Sequence, residues 1–337
     1  MQLNYKSIAL PFENPFTISN GRTKTHQPSL VVSLSLGNFT GFGEAPAIVY
    51  YDVTVEKMIE DLESKRAMVE KFALTEPARY WHYLHHLFPQ NPFLVSALDM
   101  ACWDLYGKMK GQSLYTLWNT NWENTPVTDY TIGIDTIPKM LEKMNAKPWP
   151  VYKIKLGTPE DIEIMEALTT ATKAVFRVDA NAGWTTEEAL LKIPILAKMG
   201  VEFIEQPLAK DNWEGMKILY EKSELPLYAD ESCVMESDVQ KCAGHFHGIN
   251  IKLTKCSGPT PALRMIETAR GLGLKVMMGS MNESSIGSAA IAHFLPQLDH
   301  VDMDGPLLLS EDIATGITFD NGVVTLTNKP GLGITLL

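Results

Sequence analysis

The sequence predicts an α/β fold: a parallel (β/α)7β barrel carrying an N-terminal α+β unit. Two observations favour this and a third disfavours its rival. Beginning with "TDYTIGID" and "VYKIKLG", short β-prone runs recur, each ending in a polar residue. The steps from Lys155 to Asp179, Glu205, Asp230, Lys252, Ser280 and Asp304 are about 25 residues each, the length of one strand–helix unit. Between the runs lie helical stretches such as "PEDIEIMEALTTATKAV" and "TTEEALLKIPILAKMG". A doubly wound open sheet is disfavoured because no glycine-rich phosphate fingerprint follows an early strand.

Residues 1–50 read as β-rich: "SLVVSLSLG" alternates in part and leads into the Gly-punctuated "NFTGFGEAP". From 53 to 118 the pattern turns helical, and "PFLVSALDMACWDLYGKMKG" stops at Gly111. The tail "GITFDNGVVTLTNKPGLGI" predicts a hairpin around Asp320-Asn321-Gly322, returning to the N-terminal unit. The expected division is therefore 1–120 as an α+β capping domain, 121–308 as the barrel and 309–337 as a returning segment.

With 337 residues, 45% of them hydrophobic and 20% charged, the chain has the composition of a soluble globular protein. A formal net charge of -11 disfavours nucleic acid or an anionic membrane as partner. The N-terminus does not read as a signal peptide, and no apolar run approaches a bilayer's thickness. The four cysteines are dispersed without CxxC spacing and predict reduced thiols in a cytoplasmic protein, with no zinc site. His82, His85 and His86, in the helical region, are expected at the surface and in packing. The sequence leaves the oligomeric state open, including a homo-oligomer.

Chemistry in a parallel barrel sits at the C-terminal ends of the strands. Three consecutive strands each end in one carboxylate there, Asp179, Glu205 and Asp230. Three oxygen donors with no His or Cys suit a hard divalent cation, Mg2+, one per chain. Lys155 precedes this set by one strand and Lys252 follows it by one, so the two face each other across the mouth. Such a pair can remove a proton from one face of a carbon and return it to the other. Lys153 shares the face of Lys155, and its charge is expected to lower the Lys155 pKa and to help hold substrate oxygen. Asp302 and Asp304, at the end of the eighth strand, make a receptor for a substrate ammonium group.

In order, "YKIKLG", "RVDANAGW", "FIEQPL", "ADES", "NIKLTKCSG", "GSMNESSIG" and "VDMDGPLLL" resemble the enolase superfamily, whose known pairing of a lysine base with Mg2+ fits this set. Within it the chain is similar to the muconate-lactonising branch, and most specifically to the dipeptide epimerases. The resemblance includes "GFGEAPA" and "SALDMACWDLYGK" of the capping domain, and so covers almost the whole chain. It implies a TIM barrel with a capping domain, metal ligation by Asp179, Glu205 and Asp230, acid/base roles for Lys155 and Lys252, and an auxiliary substrate contact from Lys153. It also implies substrate contacts from Thr131, Ser280 and Asn282, the last standing where the family has an apolar residue. The Asp302-x-Asp304 pair is the family's mark of dipeptide epimerases. Arg22, in "TISNGRTKTHQP", aligns with the basic residue that receives a glutamate side chain in epimerases of Ala-Glu, in a loop one residue longer, with Lys24 and His26 as nearby alternatives. Tyr50 and Tyr51 either close the pocket or pack.

The implied activity is Mg2+-dependent inversion of the C-terminal residue's α-carbon in a dipeptide, first of all L-Ala-D/L-Glu from murein. The alternatives are a hydrophobic dipeptide, or the cycloisomerase and o-succinylbenzoate synthase chemistry of the same superfamily, whose anionic substrates two acids would repel. A barrel glycosidase with two of these carboxylates leaves the lysines unexplained.

Overall fold

The computed structural model describes residues 1–17 and 23–337. Arg22, expected at the specificity loop, lies outside the described residues. Three antiparallel strands open the chain, β1 (Gln2–Thr17), β2 (Thr23–Leu36) and β3 (Phe39–Pro46). Helices α1 (Val55–Lys71), α2 (Pro77–Leu87) and α3 (Pro92–Lys110) follow. In α3 the Asn91 side chain accepts the Leu94 N–H, Pro92 opens the first turn, and Gly111 at φ +66° ends the helix where the sequence predicts. A short helix α4 (Leu114–Leu117) leads to the barrel.

Eight parallel strands run in chain order around the barrel: β4 (Tyr130–Ile132), β5 (Val151–Lys155), β6 (Val175–Asp179), β7 (Val201–Glu205), β8 (Leu227–Ala229), β9 (Gly248–Ile251), β10 (Lys275–Gly279) and β11 (His300–Asp302). A parallel bridge between Thr128 and Val301 closes the ring, and Met303 N–H donates to Thr128 Oγ1 at 3.0 Å. The connecting helices are α5 (Ile137–Ala146), α6 (Asp161–Ala171), α7 (Thr186–Lys198), α8 (Trp213–Lys222), α9 (Glu236–Cys242), α10 (Leu253–Cys256) with α11 (Pro259–Gly271), and α12 (Ser285–Ala292). In α7 the predicted start "TTEE" forms a full capping box between Thr185 and Glu188.

Alternate residues on each strand part company. Ile154, Val178, Ile204, Ala229, Ile251 and Met278 join the large core under the helices, whereas Phe203, Tyr228 and Met277 form a separate apolar layer inside the ring. Below that layer Arg177 pairs with Asp129 at 2.9 Å and Glu202 at 2.7 Å. Above it the strand ends are polar.

After β11 the chain does two things. Leu309 bridges Phe12 on β1, and further on the hairpin β13 (Ile317–Asp320) to β14 (Val323–Leu326), which follows the two-residue strand β12 (Ala314–Thr315), turns at Asn321-Gly322 as predicted. The hairpin itself packs on the barrel, with Gly322 O accepting from Thr128 N–H at 2.8 Å. Beyond it the chain meets the N-terminal unit again, where Leu332 N–H donates to Asp104 on α3. A last strand, β15 (Thr335–Leu336), pairs with β12.

Two buried carboxylates join the N-terminal unit to the barrel. Glu44 on β3 accepts from Ser29 Oγ and, at the start of α12, from Ser284 N–H, Ser284 Oγ and Gly287 N–H. Asp99 on α3 accepts from Thr260 N–H and Oγ1 in the first turn of α11. Both occupy helix N-termini, where backbone donors and the helix dipole favour an acid. Glu283 lies beside Glu44, fully buried, with its Oε2 unpartnered. Burial, followed by the charge of Glu44, pushes its pKa up to about 8.

The unfolded chain gives up that proton near pH ~4.3, whereas the folded chain keeps it to about 8. The Glu283 contribution to stability is therefore complete below the lower value and is lost as pH rises through the window. Urea midpoints should fall between about pH 5 and 8, and Glu283→Gln should flatten that fall; an unchanged slope in the variant would show that Glu283 is ionised. Glu44→Ala strands several buried donors and is expected to cost about 2–4 kcal/mol in the same unfolding measurement.

Candidate active site at the barrel mouth

Pairwise strand register assembles the site. Lys155 on β5 pairs with Asp179 on β6, and Asp179 with Glu205 on β7, while Asp230 and Lys252 follow the last residues of β8 and β9. One oxygen from each of Asp179, Glu205 and Asp230 lies within 4.8 Å of the others, and all three residues are buried. The expected metal triad is thus brought together. Its donors are hard oxygens only, and Glu205 Oε2 makes no hydrogen bond although Lys153 Nζ lies 2.8 Å away. Such a set fits a hard divalent cation.

The lysines stand at the two ends of this arc. Lys155 Nζ is 2.6 Å from Asp179 Oδ2, and Lys252 Nζ is 2.8 Å from Asp230 Oδ2. Because β5 and β9 are four strands apart in an eight-stranded ring, the two amines approach the mouth from opposite walls. Burial opposes ionisation of Asp179, but Lys155 and Lys153 outweigh it and bring its pKa down to about 2. Burial likewise opposes the Asp230 charge, and Lys252 and Lys255 hold its carboxyl far below the usual range. Glu205 goes the other way, raised by burial and by Asp179. The triad therefore carries one carboxylate whose charge the lysines leave undercompensated.

Lys153, expected as a charged neighbour of Lys155, is surrounded by carboxylates. It is 2% exposed, bonds Asp302 at 2.7 Å, and lies 3.1 Å from Asp179. Burial disfavours its charge, but Asp302, Glu205 and Asp179 outweigh burial and keep it protonated. Its charge offsets part of that of the cage carboxylates. Asp304 Oδ2 accepts from Thr131 N–H at 2.6 Å. Burial and the Asp302 charge raise Asp304 to about 7.

Ser280 N–H donates to Asp302 O at 2.7 Å, tying the seventh strand's loop, with Asn282, to the eighth. Lys24 and His26 lie on β2, in register with Phe16 and Pro11. Tyr51 packs on Phe93 and feels the charges of Asp230 and Lys252, while Tyr50 is 63% exposed. His82, His85 and His86 are all exposed, with His85 stacked on Trp81.

Three supporting residues escaped the sequence reading. Lys255 is buried beneath Asp230, bonding its Oδ1 at 2.5 Å and its carbonyl at 2.7 Å. Gln206, at φ +37°, accepts from Asp230 N–H and Ser232 N–H and donates to Leu208 O and Ser232 Oγ. Those four bonds hold a strained backbone next to Glu205. Asn250, inward on β9, donates to Glu205 Oε1 at 2.8 Å. Gly279 on the next strand leaves room for it, since a Cβ there would stand 2.7 Å from Asn250 Oδ1. The available signal was the inward parity of Asn250 on a strand ending at Lys252.

Fold and site together define a parallel-barrel protein with a divalent-cation cage between two opposed lysines. The family model described as "Enolase C-terminal domain-like" matches residues 137–337, and the chain belongs to the enolase superfamily. It is 52% identical to the L-Ala-D/L-amino acid epimerase of Flavobacterium johnsoniae, over all of both chains. The substrate-liganded L-Ala-D/L-Glu epimerase of Bacillus subtilis superposes with a TM-score of 0.93 at 28% identity, covering 99% of this chain and 98% of that one. A dipeptide epimerase of Enterococcus faecalis, complexed with Mg and L-Leu-L-Tyr, superposes at 0.90 with 28% identity over 99% of each.

Asn250→Ala should lower divalent-cation affinity by about 10–100-fold, read by calorimetric titration. Unchanged affinity would mean that Glu205 is oriented by other contacts.

Proposed function

We propose that this chain is an Mg2+-dependent dipeptide epimerase that inverts the C-terminal residue's α-carbon, with L-Ala-D/L-Glu as first substrate. The observation that carries this reading is the placement of Lys155 and Lys252 on opposite walls of the three-carboxylate cage. The names of the similar proteins support the substrate class.

Asp179, Glu205 and Asp230 would hold the cation, which supplies positive charge to the substrate carboxylate and to the negative charge that develops there. One lysine removes the α-proton, and the electron pair moves into the adjoining carboxylate to give an enediolate. The opposite lysine then gives its own proton to the other face, so that one proton is taken and one returned. Asp302 and Asp304 receive the substrate ammonium, with Lys153 fixing Asp302. Thr131, Ser280 and Asn282 contact the substrate from the first and seventh strands, and Arg22 receives the glutamate side chain. Residues 1–120 serve as the cap over a 121–308 barrel, and 309–337 return to that cap after the hairpin seated on the barrel. Four buried free cysteines support a reducing, cytoplasmic setting, and murein peptides are the proposed source of substrate.

A second reading keeps the chemistry but takes a hydrophobic C-terminal residue. It is favoured by exposed Val49 and Tyr50, the latter near enough to Asp230 and Glu231 to feel their charges. Cycloisomerase chemistry is disfavoured by the two acids that end the eighth strand.

Incubation with Mg2+ and L-Ala-L-Glu in D2O should place deuterium at the glutamate α-carbon and yield both epimers. Chelation should abolish both effects. Exchange confined to hydrophobic dipeptides would shift the substrate to the second reading. Lys155→Ala and Lys252→Ala should each abolish inversion while sparing the fold by circular dichroism, and inversion at the parent rate in either variant would refute the two-lysine scheme.

A further inference from the structure

Lys252 is followed by an unusual stretch of chain. It precedes the four-residue helix α10, which ends at Ser257 with φ +73° and Gly258 with φ +125° before α11 begins. A non-glycine residue in the left-handed region is held there by its surroundings. Here the surroundings come from the N-terminal unit. Trp81 on α2 donates its indole N–H to Ser257 O at 3.0 Å, with Ser257 Oγ at 3.2 Å. Three residues on, at Thr260, Asp99 accepts from the backbone N–H at 2.8 Å and from Oγ1 at 2.9 Å, and Trp103 donates to that same oxygen at 2.9 Å. Gly258 passes so close that a Cβ would stand 2.5 Å from Asp99 Oδ2.

Between this anchor and Lys252 the backbone is bonded without a break. Gly258 N–H donates to Leu253 O at 2.8 Å, and the N–H groups of Lys255 and Cys256 both donate to Lys252 O. Lys255 fastens the middle of the stretch to Asp230. The amine of Lys252 therefore rests on a segment whose far end is gripped by two buried side chains from another part of the fold. Lys155 instead ends β5, in register with Asp179 on β6, and among the described residues its amine bonds only Asp179 of the barrel itself.

We propose that Asp99 and Trp81 are positioning residues for Lys252, holding the segment from Lys252 to Thr260 so that its amine meets one face of the reacting carbon. The assignment rests on the two-lysine reading above. It makes the N-terminal unit part of the acid/base machinery on one side of the reaction only. Weakening the grip disturbs proton transfer at that face and leaves the Lys155 face intact.

The test uses Asp99→Ala and Trp81→Phe, with Asp99→Asn as the conservative variant that keeps an acceptor for Thr260 N–H and a partner for its hydroxyl. Two readouts are taken on the full-length protein. Hydrogen exchange followed by mass spectrometry should show faster amide exchange across residues 252–258 in the first two variants, with β6, β7 and β8 unchanged. Solvent-deuterium exchange at the α-carbon is then followed separately from L-Ala-L-Glu and L-Ala-D-Glu. Exchange from one epimer should fall roughly tenfold to a hundredfold while the other stays near the parent rate, and Asp99→Asn should restore the lost direction. Equal losses from both epimers, or unchanged protection of residues 252–258, would overturn the assignment. If Asp99→Ala does not fold, Trp81→Phe alone decides, because it removes one N–H and keeps the ring stacked under Arg264. If the parent exchanges neither epimer, the functional reading has failed, and the protection of residues 252–258 alone judges the grip.

Discussion

Charge balance among buried side chains governs this molecule. Asp179, Glu205 and Asp230 are withdrawn from solvent together, and a buried ion costs several kcal/mol unless it is matched. Lys153, Lys155, Lys252 and Lys255 each reach one or more of these acids. The match is possible only because the strands pair in one register. A slip of one residue between β5 and β6 would turn Lys155 or Asp179 into the apolar layer beneath the helices. The same register that builds the chemistry thus excludes the competing arrangements of the sheet.

The scheme extends outward through carboxylates that belong to the N-terminal unit. Glu44 and Asp99 each supply the acceptor that the first turn of a barrel helix lacks. The helices concerned follow the two strands whose ends carry Lys252 and the Ser280–Asn282 loop. Part of the geometry of the barrel mouth is consequently set by side chains the barrel does not own.

Strand-end positions announced the cage, since recurring runs with a polar last residue place like-situated side chains at one height. Lys255 was illegible for a related reason. "NIKLTK" reads as a strand running on, whereas the chain turns into α10 directly after Lys252 and carries Lys255 back under Asp230. Lys153 was visible, but its partners were not, because Asp302 lies 149 residues away in the sequence. The hairpin at Asn321-Gly322 was legible from its turn residues. Its seat on the barrel was not, since nothing local in "FDNGVV" says which surface will meet Thr128. The Asp99–Thr260 contact joins positions 161 residues apart, and neither residue carries a local sign of the other.

That long reach between Lys153 and Asp302 bears on how the chain acquires its site. During vectorial synthesis Lys153 emerges from the ribosome well before its partner, and β11 must arrive before the Thr128–Val301 bridge can shut the ring. Until then the nascent barrel has an open edge and an ammonium short of one counterion, both of which loosen the half-made sheet. Closure of the ring therefore waits on the eighth strand. A polypeptide that stalls before the eighth strand holds the three carboxylates and both lysines without the wall that completes the ring.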